Sequence, residues 1–193
     1  MSIPEGALSQ NIAMGTTAIR MTADEFAALP DDDGVKRELI DGEVFEMASG
    51  GPVHETVKGN VIIELAFWIK SQSLKARLQS ETRYHLSEID VFQPDVSVVV
   101  GSTLDPKSRG KITIAPDLVV EVVSSESAKD LFHKIKTLLR AGTRAAVLIY
   151  PFDRAVSIHR LGGSKNLQES DTLRLDDVLL GFAVPVSILF EDL

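Results

Sequence analysis

Two valine-rich runs, residues 95–100 and 117–123, constrain the fold of this chain most strongly, because each one carries a carboxylate into an apolar segment. Asp95 opens the first run, and Glu121 lies inside the second. Runs of this length and composition are typical of buried central strands. A carboxylate buried among valines costs several kcal/mol in desolvation unless it has a partner. The sequence therefore predicts that both acids are paired within the core.

A helix is predicted directly after the second run, over residues 127–141, with Gly142 as its terminating residue. The segment 145–150 that follows has a strand pattern, and a single crossover helix between two strands favours a parallel pair. The remaining pattern predicts a helix beginning at the Thr22–Glu25 capping box, together with a C-terminal short helix. The other predicted elements are a hairpin (35–40 and 43–47), a long amphipathic helix (54–71), an edge strand (78–86), a second hairpin (145–150 and 155–161), a weak strand (166–170) and the terminal helix (184–192).

This order of elements favours an α/β (α+β) fold with a central mixed β-sheet flanked by helices, preceded by an N-terminal helix and β-hairpin. The length of 193 residues is ordinary for one domain. We expect residues 1–20 to form a flexible N-terminal tail and residues 21–193 to form a single domain. The polar segment 101–116 shows no periodicity and is predicted to be a loop.

Composition excludes several classes of protein. The chain has no cysteine, which rules out disulfides and cysteine-ligated zinc. No apolar stretch approaches the roughly 18 residues that span a bilayer, and residues 1–20 lack the pattern of a secretory signal, so we expect a cytoplasmic protein with no membrane association. The net charge of −8 argues against a nucleic-acid partner, but residues 51–164 carry fifteen basic and twelve acidic residues. A basic stripe in this region could contact phosphate or could be a solvated helix face.

The two strand-borne acids can meet if their strands are neighbours. Asp95 shares a strand face with Ser97, and Glu121 shares one with Val119. Two carboxylates about 4 Å apart repel by roughly 4 kcal/mol at an effective dielectric constant near 20, and a divalent cation removes that repulsion. Oxygen ligands without thiolates favour Mg²⁺ or Mn²⁺ over zinc. Metal-dependent nucleases hold the cation and a scissile phosphate with such a set of groups, namely two carboxylates on core strands and a nearby lysine.

Lys134 is the lysine best placed to complete such a site. On a helical wheel the residues Leu131, Ile135 and Leu138 define the buried stripe of the helix, and Lys134 lies at the margin of that stripe. Lys136 points towards solvent on the same wheel. Asp130 lies one turn before Lys134, so a local ion pair between these two residues is the alternative.

A further pattern is formed by six segments which, in chain order, are Glu38 to Gly42, His54, Pro94-Asp95, Glu121 to Ser124, Asp130-x-x-x-Lys134 and Gly142. This pattern resembles the Uma-two family of uncharacterised bacterial proteins, which looks like a branch of the PD-(D/E)XK restriction-endonuclease-like superfamily. The resemblance extends over about residues 20–193 and implies a Mg²⁺ site built from Glu38, Asp95 and Glu121 with a lysine. Without the resemblance, Glu38 would be interpreted as a surface residue.

The chain departs from the superfamily pattern at the lysine. The superfamily places a lysine two residues after the glutamate, where this chain has Val123, and the resemblance moves that role to Lys134 on the following helix. The family also usually has a tyrosine at the position of Leu138. His54 and Asp130 are accessory candidates, and for His54 the alternative role is a hydrogen bond at a helix end.

The hypothesis that follows is a Mg²⁺-dependent (or Mn²⁺-dependent) endonuclease that hydrolyses phosphodiester bonds, with DNA favoured over RNA as its nucleic-acid partner. The catalytic residues would be Glu38, Asp95, Glu121 and Lys134, and a homodimer would allow both strands to be cut. The alternative is a catalytically inactive nuclease-fold module that binds nucleic acid or a protein partner. A third hypothesis is a structural or oligomerisation domain.

Overall fold

The computed structural model describes residues 20–30, 35–48, 50–101, 111–124 and 127–193. Most of the predicted N-terminal tail, the acidic segment 31–34 and much of the predicted loop 101–116 lie outside the described residues. The helices are α1 (Ala23–Ala27), α2 (Pro52–Ser71), α3 (Ala128–Ala141) and a C-terminal 3₁₀ helix (Val186–Phe190). The strands are β1 (Val35–Ile40), β2 (Glu43–Ala48), β3 (Ala76–Ser80), β4 (Tyr84–Ser87), β5 (Asp90–Phe92), β6 (Val96–Val100), β7 (Leu118–Val122), β8 (Ala145–Tyr150), β9 (Ala155–Arg160), β10 (Gly163–Gln168), β11 (Thr172–Arg174) and β12 (Ala183–Pro185).

A six-stranded mixed sheet, in the order β10-β9-β8-β7-β6-β3, forms the centre of the described chain. The strands β7 and β8 pair in parallel on either side of the crossover helix α3, as the sequence predicted, and the other neighbours are antiparallel. A four-stranded antiparallel sheet, in the order β2-β1-β5-β4, carries the N-terminal hairpin, and β11 pairs with β12. The predicted mixed α+β architecture is therefore confirmed.

The two faces of the six-stranded sheet are covered by different helices. Side chains at alternate positions point to opposite faces of a strand, and the even-numbered valines of β6 and β7 pack against the apolar side of α2. Val119 on the other face packs with Leu131, Ile135 and Leu138 of α3. Glu121 has the same strand parity as Val119, so its side chain lies on the α3 side of the sheet.

One predicted element is wrong. The sequence suggested a single edge strand over residues 78–86, but the chain forms β3 and β4, which belong to different sheets. The turn between them includes Glu81, whose φ of 49° lies in the left-handed region. The Glu81 amide donates to the Pro94 carbonyl at 3.1 Å, which ties this turn to the segment that precedes β6. The chain therefore leaves one sheet and enters the other beside Asp95.

The C-terminal region is also more divided than predicted. The segment 184–192 was expected to be one short helix, but it begins in β12 and continues as the 3₁₀ helix. The 3₁₀ residues Val186, Leu189 and Phe190 are buried in the core on the α2 side. This segment therefore closes the face of the sheet opposite to the one that carries Glu121.

Candidate active site

Five of the six residues selected from the sequence lie in one buried cluster between the two larger sheets. Glu38 is supplied by β1 of the four-stranded sheet, and Glu121 by β7 of the six-stranded sheet. Asp95 directly precedes β6, His54 lies in the first turn of α2, and Lys134 lies on α3. Glu38, Asp95, Glu121 and Lys134 are each at most 4% exposed. Their positions agree with the predicted site, and their catalytic and metal-binding roles remain predictions.

Lys134 bridges two of the carboxylates. Its Nζ atom lies 2.8 Å from Oε2 of Glu38 and 2.9 Å from Oε1 of Glu121. Both carboxylate oxygens are buried and have no other hydrogen-bond partner in the described part of the chain. The Lys134 ammonium therefore balances the negative charge at these two oxygens. A buried carboxylate requires a partner of this kind.

The Glu38 carboxylate is fixed from two sides. Its second oxygen, Oε1, accepts a hydrogen bond from the Gln93 amide at 2.6 Å, and its Oε2 faces Lys134. The Gln93 amide belongs to the segment between β5 and β6, so Glu38 also joins the two sheets. Both oxygens of Glu38 therefore face a partner within the protein. This geometry suits a role in positioning Lys134 more than a role in binding a ligand.

Asp95 accepts three donors. Lys36 Nζ lies 2.7 Å from Oδ1, while Oδ2 accepts from the Val122 amide at 2.9 Å and faces His54 Nε2 at 3.1 Å. Burial opposes the charged form of Asp95, but the His54 hydrogen bond and the charge of Lys36 together hold the pKa of this carboxyl below its usual range. Asp95 is therefore an ionised carboxylate at neutral pH.

His54 connects Asp95 to a second ion-pair cluster. Its Nδ1 lies 3.2 Å from Oε1 of Glu55, so both ring nitrogens face carboxylates. The hydrogen bond to Asp95 is the largest cause that raises the pKa of His54 above its ordinary value. Lys58 in turn pairs with Glu55 at 2.8 Å and with Glu81 at 2.6 Å. His54 thus favours the doubly protonated imidazolium, which donates to a carboxylate on each side.

Glu121 differs from Asp95 because its pKa is strongly raised, not lowered. Burial raises its pKa to about 7, and Asp95 and Glu38 add to that rise, while Lys134 and Lys36 oppose it. Burial opposes the charge on Lys134, but Glu121 and Glu38 together raise the pKa of its ammonium group above the ordinary value. Glu121 is therefore the carboxyl in this cluster whose charge is most sensitive to an additional cation. Strongly perturbed carboxyl groups of this kind are concentrated at functional sites.

Lys36 is a site residue that the sequence reasoning missed. It precedes Glu38 by two positions on β1, so both side chains lie on the same strand face. That spacing was the signal that could have identified it. The Lys36 side chain is 16% exposed, compared with 5% for Lys134, and it is the more accessible of the two lysines.

Asp130 does not join the cluster. Its Oδ2 accepts from Ser127 Oγ at 2.6 Å, and its amide donates to Ser127 Oγ at 3.1 Å, so it belongs to the N-terminal cap of α3. The alternative of a local Asp130–Lys134 ion pair is also not found among the described residues, because Lys134 turns towards Glu38 and Glu121. Lys136 is exposed on the opposite side of α3, as predicted.

The donor set can be tested against the predicted cation. Within the described ranges, no group of three or more histidine, cysteine or acidic side chains is arranged to hold a metal ion. Mg²⁺, however, keeps several waters and is commonly bound by one or two carboxylates. Asp95 and Glu121 are two carboxylates close enough for one to raise the pKa of the other. They fit Mg²⁺ in ligand chemistry, with water as the remaining ligands.

None of the helices in the described part of the chain combines the length and the apolar character that a membrane crossing requires.

Comparison with known proteins agrees with the fold. The chain is similar to a solved structure described as "a putative nuclease belonging to DUF820 from Anabaena variabilis ATCC 29413", with a TM-score of 0.77 and 23% sequence identity. The alignment covers 88% of this chain and 97% of that chain. This likeness confirms a nuclease-like fold. No curated protein matches the chain in sequence. A family model described as "Putative restriction endonuclease" matches residues 23–187, which span most of the chain and include all the clustered residues. This protein therefore belongs to the Uma2 family.

Proposed function

We propose that this protein is a Mg²⁺-dependent (or Mn²⁺-dependent) endonuclease that hydrolyses phosphodiester bonds in DNA. The observation that carries the proposal is the convergence of Glu38, Asp95 and Glu121 on one buried cluster with Lys134. Membership of the Uma2 family and the nuclease-like fold support nucleic acid as the partner. Sequence-independent nucleic-acid affinity comes mainly from phosphate contacts, which the basic residues of α3 could supply.

In this proposal Asp95 and Glu121 hold the cation. Bound there, Mg²⁺ would supply Lewis-acid polarisation of the scissile phosphate and a more acidic water. Asp95 is suited to this role because it is ionised at neutral pH. Glu121 needs a nearby positive charge to lose its proton at the same pH, and Lys134 already provides part of that charge.

Lys134 has a second task in the proposed reaction. An ammonium group has three donors, and the Lys134 ammonium lies within ion-pair distance of Glu38 and Glu121. In this proposal one of its donors orients the attacking water or donates to the phosphate oxygen on which negative charge increases. Preorganised donors of this kind are usually a large part of enzymatic rate enhancement. Glu38 positions Lys134, since its Oε2 pairs with the ammonium while its Oε1 is held by the Gln93 amide.

The test is cleavage of supercoiled plasmid in Mg²⁺ or Mn²⁺ by the wild type, Glu121→Gln and Lys134→Met, with Lys136→Met as the matched control on the same helix. We expect metal-dependent nicking by the wild type and the control. Loss of at least about 100-fold in rate is expected for the two site variants. Retention of metal-dependent cleavage by Glu121→Gln would refute the assignment of the metal site.

A second candidate function is a nuclease-fold module that binds nucleic acid without cutting it. The ion pairs favour it, because Lys36 and Lys134 already compensate all three carboxylates. Calorimetric titration of DNA without a divalent cation separates the two candidates. Tight metal-free binding with no cleavage of any substrate supports the module, whereas binding that requires Mg²⁺ counts against it.

A homodimer would complete the endonuclease proposal by placing two sites on the two strands of a duplex. Gel filtration with light scattering at several protein concentrations would measure the oligomeric state. Parallel cleavage assays on duplex DNA and on RNA would test the proposed preference for DNA.

A further inference from the structure

Lys36 pairs with one of the two carboxylate oxygens that Asp95 would offer to a metal ion. Its Nζ lies 2.7 Å from Oδ1, and its side chain is 16% exposed, compared with 6% for the Asp95 side chain. Neither the family match nor the sequence pattern assigned this residue a role. Because Lys36 lies in the same buried cluster as Lys134, the site contains two lysines where the proposed mechanism uses one.

The three donors to Asp95 differ in how easily each one can move away from the carboxylate. The Val122 amide is part of β7 and cannot move without breaking the sheet. His54 is held by the first turn of α2 and by Glu55, and its ring is 11% exposed. Lys36 reaches Asp95 through a flexible four-carbon stem from β1. It is therefore the donor that can withdraw while the rest of the site stays in place.

The charges of the cluster make such a withdrawal favourable when a divalent cation enters. The site holds three carboxylates against two lysines and His54, so a further +2 charge added beside Lys36 would overcompensate the acids. Repulsion between the cation and the Lys36 ammonium, which lies 2.7 Å from Oδ1 of Asp95, is then relieved when the ammonium moves away from that carboxylate.

We infer that Lys36 is a built-in counter-ion of Asp95 that competes with the divalent cation for this carboxylate and is displaced when the cation binds. This inference rests on the proposed function. It makes Lys36 a positioning residue that keeps the metal-free site folded and sets the metal concentration at which the site fills. The displaced ammonium would remain next to the cluster, where it could contact a phosphate.

The experiment is calorimetric titration of Mn²⁺ into the wild type, Lys36→Met and Lys36→Arg. Lys111→Met serves as the control, because it removes the same charge from a surface lysine that pairs with Asp24 at 2.6 Å. We expect Mn²⁺ to bind Lys36→Met roughly five- to tenfold more tightly than the wild type. Lys36→Arg, which keeps the competing cation, and Lys111→Met should bind Mn²⁺ as the wild type does.

A second measurement uses the unmodified protein and does not depend on the folding of a variant. Acetylation of lysines, quantified by mass spectrometry with and without Mn²⁺, reports the accessibility of each amine. Lys36 should react several-fold faster in saturating Mn²⁺, while Lys111 should not change. These two results together would establish the displacement of Lys36.

Results contrary to these expectations would each lead to a different conclusion. Equal Mn²⁺ affinity for the wild type and Lys36→Met, with no change in Lys36 acetylation, would overturn the inference and leave the proposed nuclease standing. A failure of both proteins to bind Mn²⁺ would overturn the inference together with the metal dependence of the proposed function. If Lys36→Arg also bound Mn²⁺ more tightly than the wild type, the shape of the lysine side chain and not its positive charge would control the affinity. That result would also overturn the inference.

Discussion

Nζ of Lys134 lies 2.9 Å from Oε1 of Glu121, which brings together a lysine from a helix and a glutamate from the strand before it. In the superfamily pattern the lysine follows the glutamate by two residues on the same strand face, where this chain has Val123. The displaced lysine nevertheless meets the same carboxylate, because α3 crosses the face of the sheet that carries Glu121. Lys134 therefore reaches Glu121 from the helix that follows β7, without a lysine on the strand itself.

Substitution of Lys134 by methionine should strongly destabilise the protein. It would leave the Glu38 and Glu121 carboxylates buried without a cation, and breaking a buried ion pair on one side typically costs about 3–5 kcal/mol. The free energy of unfolding in urea measures this loss. Lys136→Met on the exposed side of α3 should change it by less than about 0.5 kcal/mol. A loss for Lys134→Met no larger than for Lys136→Met would show that the two contacts contribute little.

The sequence could predict the site where a strand or helix period determined the geometry. Glu121 was correctly placed on the face opposite to the even-numbered valines by strand alternation, and Lys134 by the helical wheel. Lys36 was missed because its spacing from Glu38 shows only that the two residues share a strand face, while its contact with Asp95 depends on how β1 of one sheet approaches the start of β6 in the other. The same limit explains why residues 78–86 were predicted as one strand: the division into two sheets depends on partners distant in sequence.

His54 should make stability depend on pH in a defined direction. Its pKa is raised in the folded protein, chiefly by the hydrogen bond to Asp95, so its contribution is fully present below the unfolded value of 6.5 and is lost as the pH rises through the folded value. The difference in unfolding free energy between the wild type and His54→Gln should therefore be larger at pH 6 than at pH 9. The titration of Glu121 acts on both proteins and largely cancels in this difference.

His159 provides a control with the opposite sign. Burial lowers the pKa of His159, so its protonation at low pH destabilises the folded state. The wild type should therefore lose stability relative to His159→Gln as the pH falls from 8 to 5. If His54→Gln showed the same trend as His159→Gln, the hydrogen bond from His54 to Asp95 would not be stabilising the charged imidazolium.

Gly142 should be required for the end of α3. Its φ of 119° lies in the region that favours glycine, and its amide bonds to carbonyls of the last turn of the helix. We expect Gly142→Ala to cost about 1–2 kcal/mol in urea unfolding. Gly59→Ala inside α2, where an added Cβ meets no atom within 4 Å, should instead stabilise the protein by about 0.5–1 kcal/mol. Equal effects of the two substitutions would exclude a special role of the Gly142 conformation.

Gly50 should be required for the position of His54 in the cluster. A Cβ added to Gly50 would collide with the His54 side chain, at its Cβ and at the ring atoms Cγ and Nδ1, whereas a Cβ on the neighbouring Gly51 meets no atom within 4 Å. Gly50→Ala should push the ring away from Asp95. The pKa of His54, measured by NMR titration of its ring protons, should then fall towards the ordinary value of 6.5. Gly51→Ala should leave that pKa unchanged and cost at most about 1 kcal/mol of stability, since alanine is less favourable than glycine at an N-cap. An unchanged His54 pKa in Gly50→Ala would mean that the 51–54 backbone yields to the added methyl group, and that the ring keeps its hydrogen bond to Asp95 without help from this glycine.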